Sequence, residues 1–337
     1  MPVLVTGGAG YIGSHMVLEL VARGERVVVL DDLSTGFAWA VPEAVQLVVG
    51  DVGDGALVAR LVTEFAIADL VHFAAKIVVP DSVADPLGYY LSNTVKTRAL
   101  FEAAVGAGVK RVIFSSTAAV YGDPGVAVIG EGAPTAPINP YGRSKLMSEW
   151  MLADAARAHG ITYTALRYFN VAGADPVGRA GQSSTNATHL IKVASQAAAG
   201  LRNGLDIFGT DYPTPDGSCI RDYIHVSDLA SAHWAALERL RAGGESLTLN
   251  CGYGRGYSVK EVVDVVKRVS RVDFPVWLSP RRDGDPACLV AGADRIRQEL
   301  GWRPALDDLD TIVRHALDWE KTLALRKAAV AEPVAQG

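Results

Sequence analysis

The chain has little cysteine and no excess of basic residues, and each shortage excludes a class of protein. Its 337 residues contain three cysteines, Cys219, Cys251 and Cys288, which are widely spaced and odd in number. This pattern predicts neither a disulfide framework nor a metal site, and it is typical of a reducing compartment. The net charge of -5 argues against a nucleic-acid partner, because a protein that binds nucleic-acid phosphates needs a basic surface.

Long apolar runs are also missing. Runs such as RVVVL and VQLVVG have the length of a β-strand and are too short to cross a bilayer. The N-terminus begins in an apolar strand without a charged leader or a cleavage site. We therefore expect a cytoplasmic protein with no membrane partner.

Short apolar runs alternate with longer amphipathic segments through the first half of the chain. The alternation predicts an α/β fold with a Rossmann-type, doubly wound parallel sheet, because crossover helices cover both faces of such a sheet. After residue 170 the pattern loosens into long loops rich in Gly, Pro and Asp, and we expect a smaller mixed α/β lobe. The predicted strands are 2–7, 26–31, 45–51, 69–75, 111–116 and 162–170, and later helices are predicted near 187–200, 227–241, 258–270 and 307–325.

Three glycines between the first strand and the next helix favour a dinucleotide site. Gly7, Gly10 and Gly13 would allow a tight turn, close approach to a pyrophosphate and close helix packing, although an ordinary glycine turn is the alternative. Asp31 ends the second strand, where a carboxylate binds the adenosine ribose. Since no Arg or Lys follows it in DLSTG, NAD is favoured over NADP. Asp51 could face the adenine or instead cap the following helix.

A tyrosine and a lysine one helical turn apart are the candidate catalytic groups. Tyr141 and Lys145 share one helix face, and an adjacent ammonium together with a positive nicotinamide would lower the pKa of the phenol. Thr117, at the end of the strand RVIFSS, could share the proton and stabilise an alkoxide. Hydroxyl residues suit that position because ligands bind at the carboxyl ends of parallel strands. Taken alone, the Tyr-x-x-x-Lys spacing could be an accidental surface pair.

Several segments resemble the extended branch of the short-chain dehydrogenase/reductase family: VTGGAGYIGSH, HFAA, SSTAAVYGD, PYGRSK, LRYFNVAGA and RDYIHVSDLA. Within that branch, DYPTPDGSCIRDYIHV and PRRDGDPA make the chain similar to the UDP-galactose (UDP-glucose) 4-epimerases. The resemblance implies an NAD-dependent isomerase. Bound NAD would take hydride from carbon 4 of a UDP-hexose and return it to the opposite face of a 4-keto sugar, while the tyrosine takes the hydroxyl proton.

The resemblance also implies the division of the chain and its binding residues. Residues 1–170 would form the NAD-binding domain, joined by some later segments, 171–325 would bind the UDP-sugar, and 326–337 would be a frayed tail. The implied cofactor contacts are Gly7, Gly10, Tyr11, Ile12, Gly13, Asp31, Asp32, Asp51, Val52, Phe73, Ala74, Ala75, Asn93, Ser115, Tyr141, Lys145 and Tyr168. The implied substrate contacts are Thr117, Tyr141, Asn170, His189, Leu190, Phe208, Arg221, Tyr223, Arg282, Asp285 and Cys288, with the two arginines and Asn170 on the diphosphate and Asp285 on the ribose.

The chain departs from the family pattern at four positions. Thr117 replaces the usual serine and keeps the hydroxyl. In HFAAKIVV, Ile77 occupies the position of a frequent lysine, with Lys76 just before it, and His189 stands where an asparagine is common. Allowing a one-residue deletion, Cys288 falls at a pocket gate that is a bulky tyrosine or a small residue in the family. A small gate leaves room for an N-acetyl group, so UDP-N-acetylhexosamines are possible further substrates.

Other reactions on the same fold stay open. A UDP-pentose 4-epimerase would differ only by a hydroxymethyl group on the substrate. A nucleotide-sugar 4,6-dehydratase needs an acidic pair after the threonine, where this chain has Ala118 and Ala119. An NAD-sensing binding protein would tend to lose the Tyr-Lys pair. The family usually forms homodimers through the helices around 86–106 and 140–158, although those helices could simply cover the sheet.

Overall fold

A computed structural model describes residues 2–184, 187–282 and 285–331. The strands are β1 (Val3–Thr6), β2 (Val27–Asp31), β3 (Gln46–Val49), β4 (Asp69–His72), β5 (Arg111–Thr117), β6 (Val128–Ile129), β7 (Thr162–Tyr168), β8 (Asn170–Ala172), β9 (Leu205–Phe208), β10 (Ile220–His225), β11 (Leu247–Cys251), β12 (Gly256–Ser258), β13 (Val276–Ser279) and β14 (Cys288–Ala291). The α-helices are α1 (Tyr11–Ala22), α2 (Gly55–Glu64), α3 (Val79–Ala84), α4 (Pro86–Tyr90), α5 (Lys96–Ala107), α6 (Pro140–His159), α7 (Leu190–Ala198), α8 (Val226–Arg241), α9 (Val259–Ser270), α10 (Asp294–Leu300) and α11 (Leu309–Ala331).

The main sheet has seven parallel strands in the order β11-β7-β5-β4-β1-β2-β3. Its order reverses around β1, so helices α1 and α8 pack on one face and α2, α5 and α6 lie on the other. Side chains alternate between two buried clusters: Val3 and Val5 pack with α1 and α8, whereas Leu4 packs with α2 and α5. The predicted doubly wound α/β fold is confirmed.

A smaller second sheet follows the main one. Its central strand, β10, pairs in parallel with β8 and β14 and antiparallel with β12, and β14 also pairs with β6. Strands β9 and β13 form a separate parallel pair. Helices α7, α9 and α11 pack against one another in this part of the chain. Since β8 begins two residues after the end of β7, the second sheet starts at the edge where the main sheet ends.

The structure adds elements that the sequence pattern did not predict. Strand β11 completes the main sheet beside β7, and the smaller strands and α10 were not foreseen. The predicted helix near 86–106 consists of α4, a π-helical turn at Leu91–Val95, and α5. Of the predicted tail, residues 326–331 continue α11, and residues 332–337 lie outside the described residues. Within the described ranges, no helix is long and apolar enough to span a bilayer.

Candidate functional site

Parallel pairing gathers the candidate residues at one edge of the main sheet. Gly7 follows β1, Asp31 ends β2, Phe73 follows β4, Thr117 ends β5 and Tyr168 ends β7. Adjacent strands are in register there, as the pairing of Thr117 with Tyr168 shows. Because all these strands run the same way, their carboxyl ends form one side of the sheet, where α/β proteins bind ligands.

The glycine triplet forms a tight backbone cradle before α1. A Cβ at Gly13 would lie 2.0 Å from the Gly7 carbonyl oxygen, and one at Gly7 would lie 2.6 Å from the Ala74 nitrogen. Gly10 is the N-cap of α1 and adds no side chain over the helix end. The first-turn N–H groups, which include those of Tyr11, Ile12 and Gly13, have no partner within a helix. This arrangement fits the pyrophosphate of a dinucleotide.

Asp31 lies beside the cradle and is held by two backbone donors. Its oxygens accept hydrogen bonds from the N–H groups of Ala9 and Leu33, both at 2.9 Å. Burial raises the pKa of Asp31, and these two N–H groups oppose the rise. Asp32 is exposed and accepts from the Ser34 N–H and hydroxyl. A ribose could therefore meet the carboxylate of Asp31 at the place that the sequence predicts.

Asp51 does not cap α2. The cap is Asp54, whose side chain accepts from the Leu57 N–H at 3.0 Å, so the capping alternative for Asp51 is wrong. Asp51 instead accepts from the Gly53 N–H and forms an ion pair with Lys96. Val52, next to it, is buried. The cofactor role of this pair of residues stays a prediction.

The segment after β4 is fixed by a buried asparagine. Asn93 accepts from the Lys76 N–H at 2.8 Å, donates to the Lys76 carbonyl at 2.9 Å and donates to the Ser144 hydroxyl. It belongs to the π-helical turn, a distortion that is frequent at functional sites. Its side chain therefore holds the chain that follows Phe73, Ala74 and Ala75. The side chains of Lys76 and Ile77 are exposed, and the Lys76 ammonium lies 3.6 Å from Asp85.

The three predicted catalytic residues lie together. The Asn139 side chain caps α6 by accepting from the Gly142 N–H, which places Tyr141 in the first turn. A Cβ at Gly142 would lie 2.5 Å from the Ala119 carbonyl oxygen, so glycine lets α6 approach the turn after β5. There the Tyr141 hydroxyl bonds with the Thr117 side chain. One turn later, Lys145 donates to the Ser115 carbonyl at 3.0 Å.

Burial dominates the electrostatics of this pair. It raises the pKa of Tyr141 to about 12, and the hydrogen bond with Thr117 only partly opposes it. Burial lowers the pKa of Lys145 to about 8, against the opposing charge of Glu149. The protein's own groups therefore leave Tyr141 a neutral phenol, and the lowering of its pKa by the ammonium together with a positive nicotinamide stays a prediction. A further positive charge is needed for Tyr141 to ionise near neutral pH.

Ser115 and Tyr168 close the end of the sheet beside the catalytic pair. Their side-chain oxygens form a short hydrogen bond between β5 and β7. Burial raises the pKa of Tyr168, which stays a neutral phenol. The ring of His233 on α8 lies 4.9 Å from that of Phe73 and 6.2 Å from that of Tyr168. The rings of Phe73 and Tyr168, both predicted cofactor contacts, therefore lie near the same histidine of α8.

Four of the predicted substrate contacts line one pocket. The pairing of β8 with β10 sets Asn170 opposite Tyr223, and His189 and Leu190 at the start of α7 complete this side. The His189 Nδ1 lies 2.7 Å from the Gln182 Nε2, and burial lowers the pKa of His189. Other lining residues include Gln182, Lys192, Trp319 and Glu320.

The remaining predicted substrate contacts form a second group around β10. Arg221 is buried and donates to Asp285 at 3.3 Å. The Arg282 guanidinium lies over the Phe208 ring at 3.7 Å. Cys288, half-buried at the start of β14, pairs with Ile220, the residue before Arg221. Two cations and an aromatic face thus lie near one another, a combination that suits a nucleoside diphosphate.

Sequence reasoning missed the buried polar groups behind the catalytic pair. Glu149 on α6 and Arg167 on β7 form an ion pair in which each residue is less than a tenth exposed. The sequence carried a signal for Glu149, because it follows Lys145 by four residues on the same helix face. It carried none for Arg167, whose contact depends on how α6 crosses the sheet.

The chain is similar to known proteins over nearly its whole length. Residues 3–252 match the model of the NAD dependent epimerase/dehydratase family. A UDP-glucose 4-epimerase of Azospirillum brasilense is 59% identical over 95% of this chain and 92% of its own length. The crystal structure of UDP-glucose 4-epimerase from Brucella ovis in complex with NAD is 46% identical with a TM-score of 0.91, over 94% of this chain and 97% of that one. The UDP-Glc/GlcNAc 4-epimerase of Campylobacter jejuni is 49% identical with a TM-score of 0.84, over 95% of this chain and 99% of that one.

The glycine cradle generates the first prediction. In Gly13→Ala the new methyl group collides with the Gly7 carbonyl, so α1 must move away from the loop. We expect the NAD dissociation constant, measured by calorimetry, to rise about ten- to hundredfold, since overpacking costs about 1–3 kcal/mol. Gly106→Ala is the control, because a Cβ there meets nothing within 4 Å. Equal NAD affinities for the two variants would contradict the assignment.

Proposed function

The chain belongs to the NAD-dependent epimerase/dehydratase family, and we propose that it epimerises UDP-hexoses reversibly at carbon 4, interconverting UDP-glucose and UDP-galactose. The observation that carries the proposal is the cluster of Thr117, Tyr141 and Lys145 at the same sheet edge as the glycine cradle. Relatives named UDP-glucose 4-epimerase that match nearly the whole chain support it. The protein is an NAD-dependent isomerase.

The catalytic roles follow from the contacts of each side chain. Tyr141 takes the proton from the hydroxyl on carbon 4 and returns it after the sugar has turned over. Thr117 bonds to the Tyr141 hydroxyl and is placed to steady the sugar oxygen as charge develops. NAD, when bound, supplies the positive ring that accepts hydride from carbon 4 and gives it back to the opposite face. Lys145 adds a second cation on the same side of α6, which favours the phenolate.

The proposed reaction requires firm contacts to the nucleotide and loose contacts to the sugar. Arg221 and Arg282 bring positive charge to the diphosphate, and Asp285 bonds to Arg221 where the ribose is predicted to lie. Asn170, His189 and Leu190 border the adjoining pocket. A reaction that returns hydride to the opposite face needs the nucleotide held firmly while the sugar rotates. The arginine-rich end supports such an anchor.

Removing the phenol hydroxyl tests the reaction. In Tyr141→Phe we expect kcat for UDP-galactose to fall about 10²–10⁴-fold, the usual contribution of a general base, while NAD and UDP still bind. Tyr90→Phe, a half-buried tyrosine on α4, is the control and should retain the parent rate. The assay follows UDP-glucose without added NAD. An unchanged kcat in Tyr141→Phe would refute the mechanism, and a 4-keto-6-deoxy product would identify a dehydratase instead.

We propose that UDP-N-acetylhexosamines are also substrates. Cys288, half-buried next to β10, has a much smaller side chain than the tyrosine that the family can have at this position. A relative that is 49% identical is named a UDP-Glc/GlcNAc 4-epimerase. Both observations support a pocket that admits a group on carbon 2 of the sugar.

Enlarging the side chain at position 288 tests this specificity. In Cys288→Tyr we expect kcat/KM for UDP-N-acetylglucosamine to fall at least about tenfold, with kcat/KM for UDP-glucose nearly unchanged, because only the N-acetyl group needs the volume. Cys288→Ala keeps a small side chain at this position and serves as the matched control. Undiminished N-acetylhexosamine turnover in Cys288→Tyr would rule out this role of the residue.

We further propose a homodimer formed by two helical segments of each chain: 86–106, which consists of α4, the π-helical turn and α5, and α6. Apolar side chains on α4, the π-helical turn and α6 are exposed to solvent: Leu87 is 79% exposed and Trp150 is 58% exposed, and Leu91, Val95 and Met147 are also exposed. Their spacing of three or four residues puts them on adjoining helix faces. A contiguous exposed apolar surface of this kind favours an interface over a simple cover for the sheet. A second copy would bury it in a four-helix arrangement.

Charged substitutions in this stripe test the dimer. Leu87→Glu/Leu91→Glu would place four carboxylates in a twofold interface, so sedimentation at micromolar concentration should give the 35.6 kDa mass of one chain. Leu325→Glu, at a position 72% exposed on α11, is the control and should sediment at twice that mass. A monomeric parent protein, or a dimeric double variant, would overturn the proposal.

We also propose that the protein is cytoplasmic. Cys219, Cys251 and Cys288 are free thiols in the structure, which suits a reducing compartment.

A further inference from the structure

A buried ion pair lies one helical turn from the proposed catalytic lysine. Arg167 donates from Nε to Glu149 Oε1 at 2.9 Å and from its second nitrogen to Oε2 at 2.5 Å. Ser116 adds a bond from its hydroxyl to Oε1 at 2.5 Å. Glu149 follows Lys145 by one helical turn, so its carboxylate and the ammonium lie on the same side of α6.

This ion pair connects four elements of the site. Glu149 belongs to α6, Ser116 to β5 and Arg167 to β7. Arg167 also donates to the Tyr121 hydroxyl at 3.0 Å, and that hydroxyl donates to Asn250 on β11 at 2.7 Å. Ser116 lies between Ser115, which accepts from Lys145, and Thr117, which bonds to Tyr141. The network therefore reaches Ser116, which lies between the residue that contacts Lys145 and the residue that contacts Tyr141.

Stability alone is a weak reason for such a pair. Removing two charges from water is costly, and well-packed apolar residues in place of a buried pair are often as stable. The position of the carboxylate suggests another reason, because Lys145 is itself buried and is destabilised as a cation. An anion one turn away offsets that cost.

In the part of the chain that the structure describes, the other groups that face Lys145 do not supply this negative charge. On α6, Tyr141 is a neutral phenol because burial raises its pKa to about 12. On β4, His72 is neutral because burial and the charge of Lys145 lower its pKa to about 3. On β5, Lys145 meets the Ser115 carbonyl and the Phe114 ring, at 5.1 Å. On β7, Tyr168 is a neutral phenol and Arg167 is a cation.

We propose that Glu149, held by Arg167 and Ser116, is a positioning residue that keeps Lys145 charged and directed at the carboxyl end of β5. The proposal rests on the proposed roles of Tyr141 and Lys145, but its electrostatic part can be tested without turnover. Glu149 touches neither substrate nor cofactor and acts through the lysine. Its carboxylate favours the protonated amine, so its removal should make Lys145 lose its proton at lower pH.

The test is the titration of Lys145 in the full chain, followed by NMR of lysine labelled with ¹³C at Cε and assigned with Lys145→Arg. In Glu149→Gln, which keeps the size of the side chain, we expect the titration midpoint to fall by about half a unit or more. Glu102→Gln, in an exposed ion pair with Arg98 on α5, is the control and should leave the midpoint unchanged. An unchanged midpoint in folded Glu149→Gln protein overturns the proposal.

A double variant separates charge from structural support. Glu149→Gln alone leaves Arg167 buried without its partner and could unfold the protein, whereas Glu149→Gln/Arg167→Gln removes both charges. If Glu149 acts on Lys145, the midpoint in the double variant also stays below that of the parent, although by less than in Glu149→Gln, because the loss of the Arg167 cation favours the protonated lysine. A return to the parent midpoint would reduce the pair to a structural role and overturn the proposal.

The pH profile of the NAD-loaded enzyme provides the functional readout. Because the lysine must be protonated, the ratio of variant to parent kcat should fall as the pH rises from 6 to 9 and approach its highest value at the acid end. A ratio that is low but independent of pH would indicate general damage and contradict the proposal. If Tyr141→Phe proved active, the proposed reaction would fail, but the lysine titration would still decide the role of Glu149.

Discussion

The close contact between the start of α6 and the end of β5 is the constraint on which the site depends. Gly142 permits it, since any larger residue would meet the Ala119 carbonyl, and Asn139 fixes the first turn of the helix. This contact brings Tyr141 to Thr117 and Lys145 to the Ser115 carbonyl. The glycine cradle at the end of β1 lies along the same edge, so a dinucleotide bound there shares the edge with the phenol.

The same contact creates an electrostatic difficulty. Burial shifts the pKa of Tyr141 up and that of Lys145 down, which are both the wrong direction for a phenolate–ammonium pair. Charge must be added back for the pair to work near neutral pH. In the proposed mechanism, the oxidised cofactor would bring positive charge to the phenol and Glu149 would bring negative charge to the lysine. The buried ion pair and the cofactor thus act on opposite members of one couple.

The second sheet carries several of the predicted substrate contacts. Strand β8 starts two residues after β7 ends, and through β10 it leads from Tyr168 and Asn170 to Arg221 and Cys288. Nucleotide anchor and catalytic edge are therefore joined by short, hydrogen-bonded strands. In the proposed reaction, the sugar would lie between them. This division suits a reaction whose product differs from its substrate only in the configuration at one carbon.

Local patterns in the sequence determined the main elements and the catalytic edge. Alternating runs specified six strands of the main sheet, glycine spacing specified the cradle, and helical spacing placed Tyr141 and Lys145 on one face, because each signal depends on neighbouring residues. Tertiary structure alone decided what depends on distant pairing. Strand β11 joins the sheet through β7, more than seventy residues earlier, Asp54 rather than Asp51 caps α2, and Arg167 reaches Glu149 only because α6 crosses β7. The shifted pKa values of Tyr141 and Lys145 were also decided by the tertiary structure, because burial is a property of the packed fold and not of the sequence nearby.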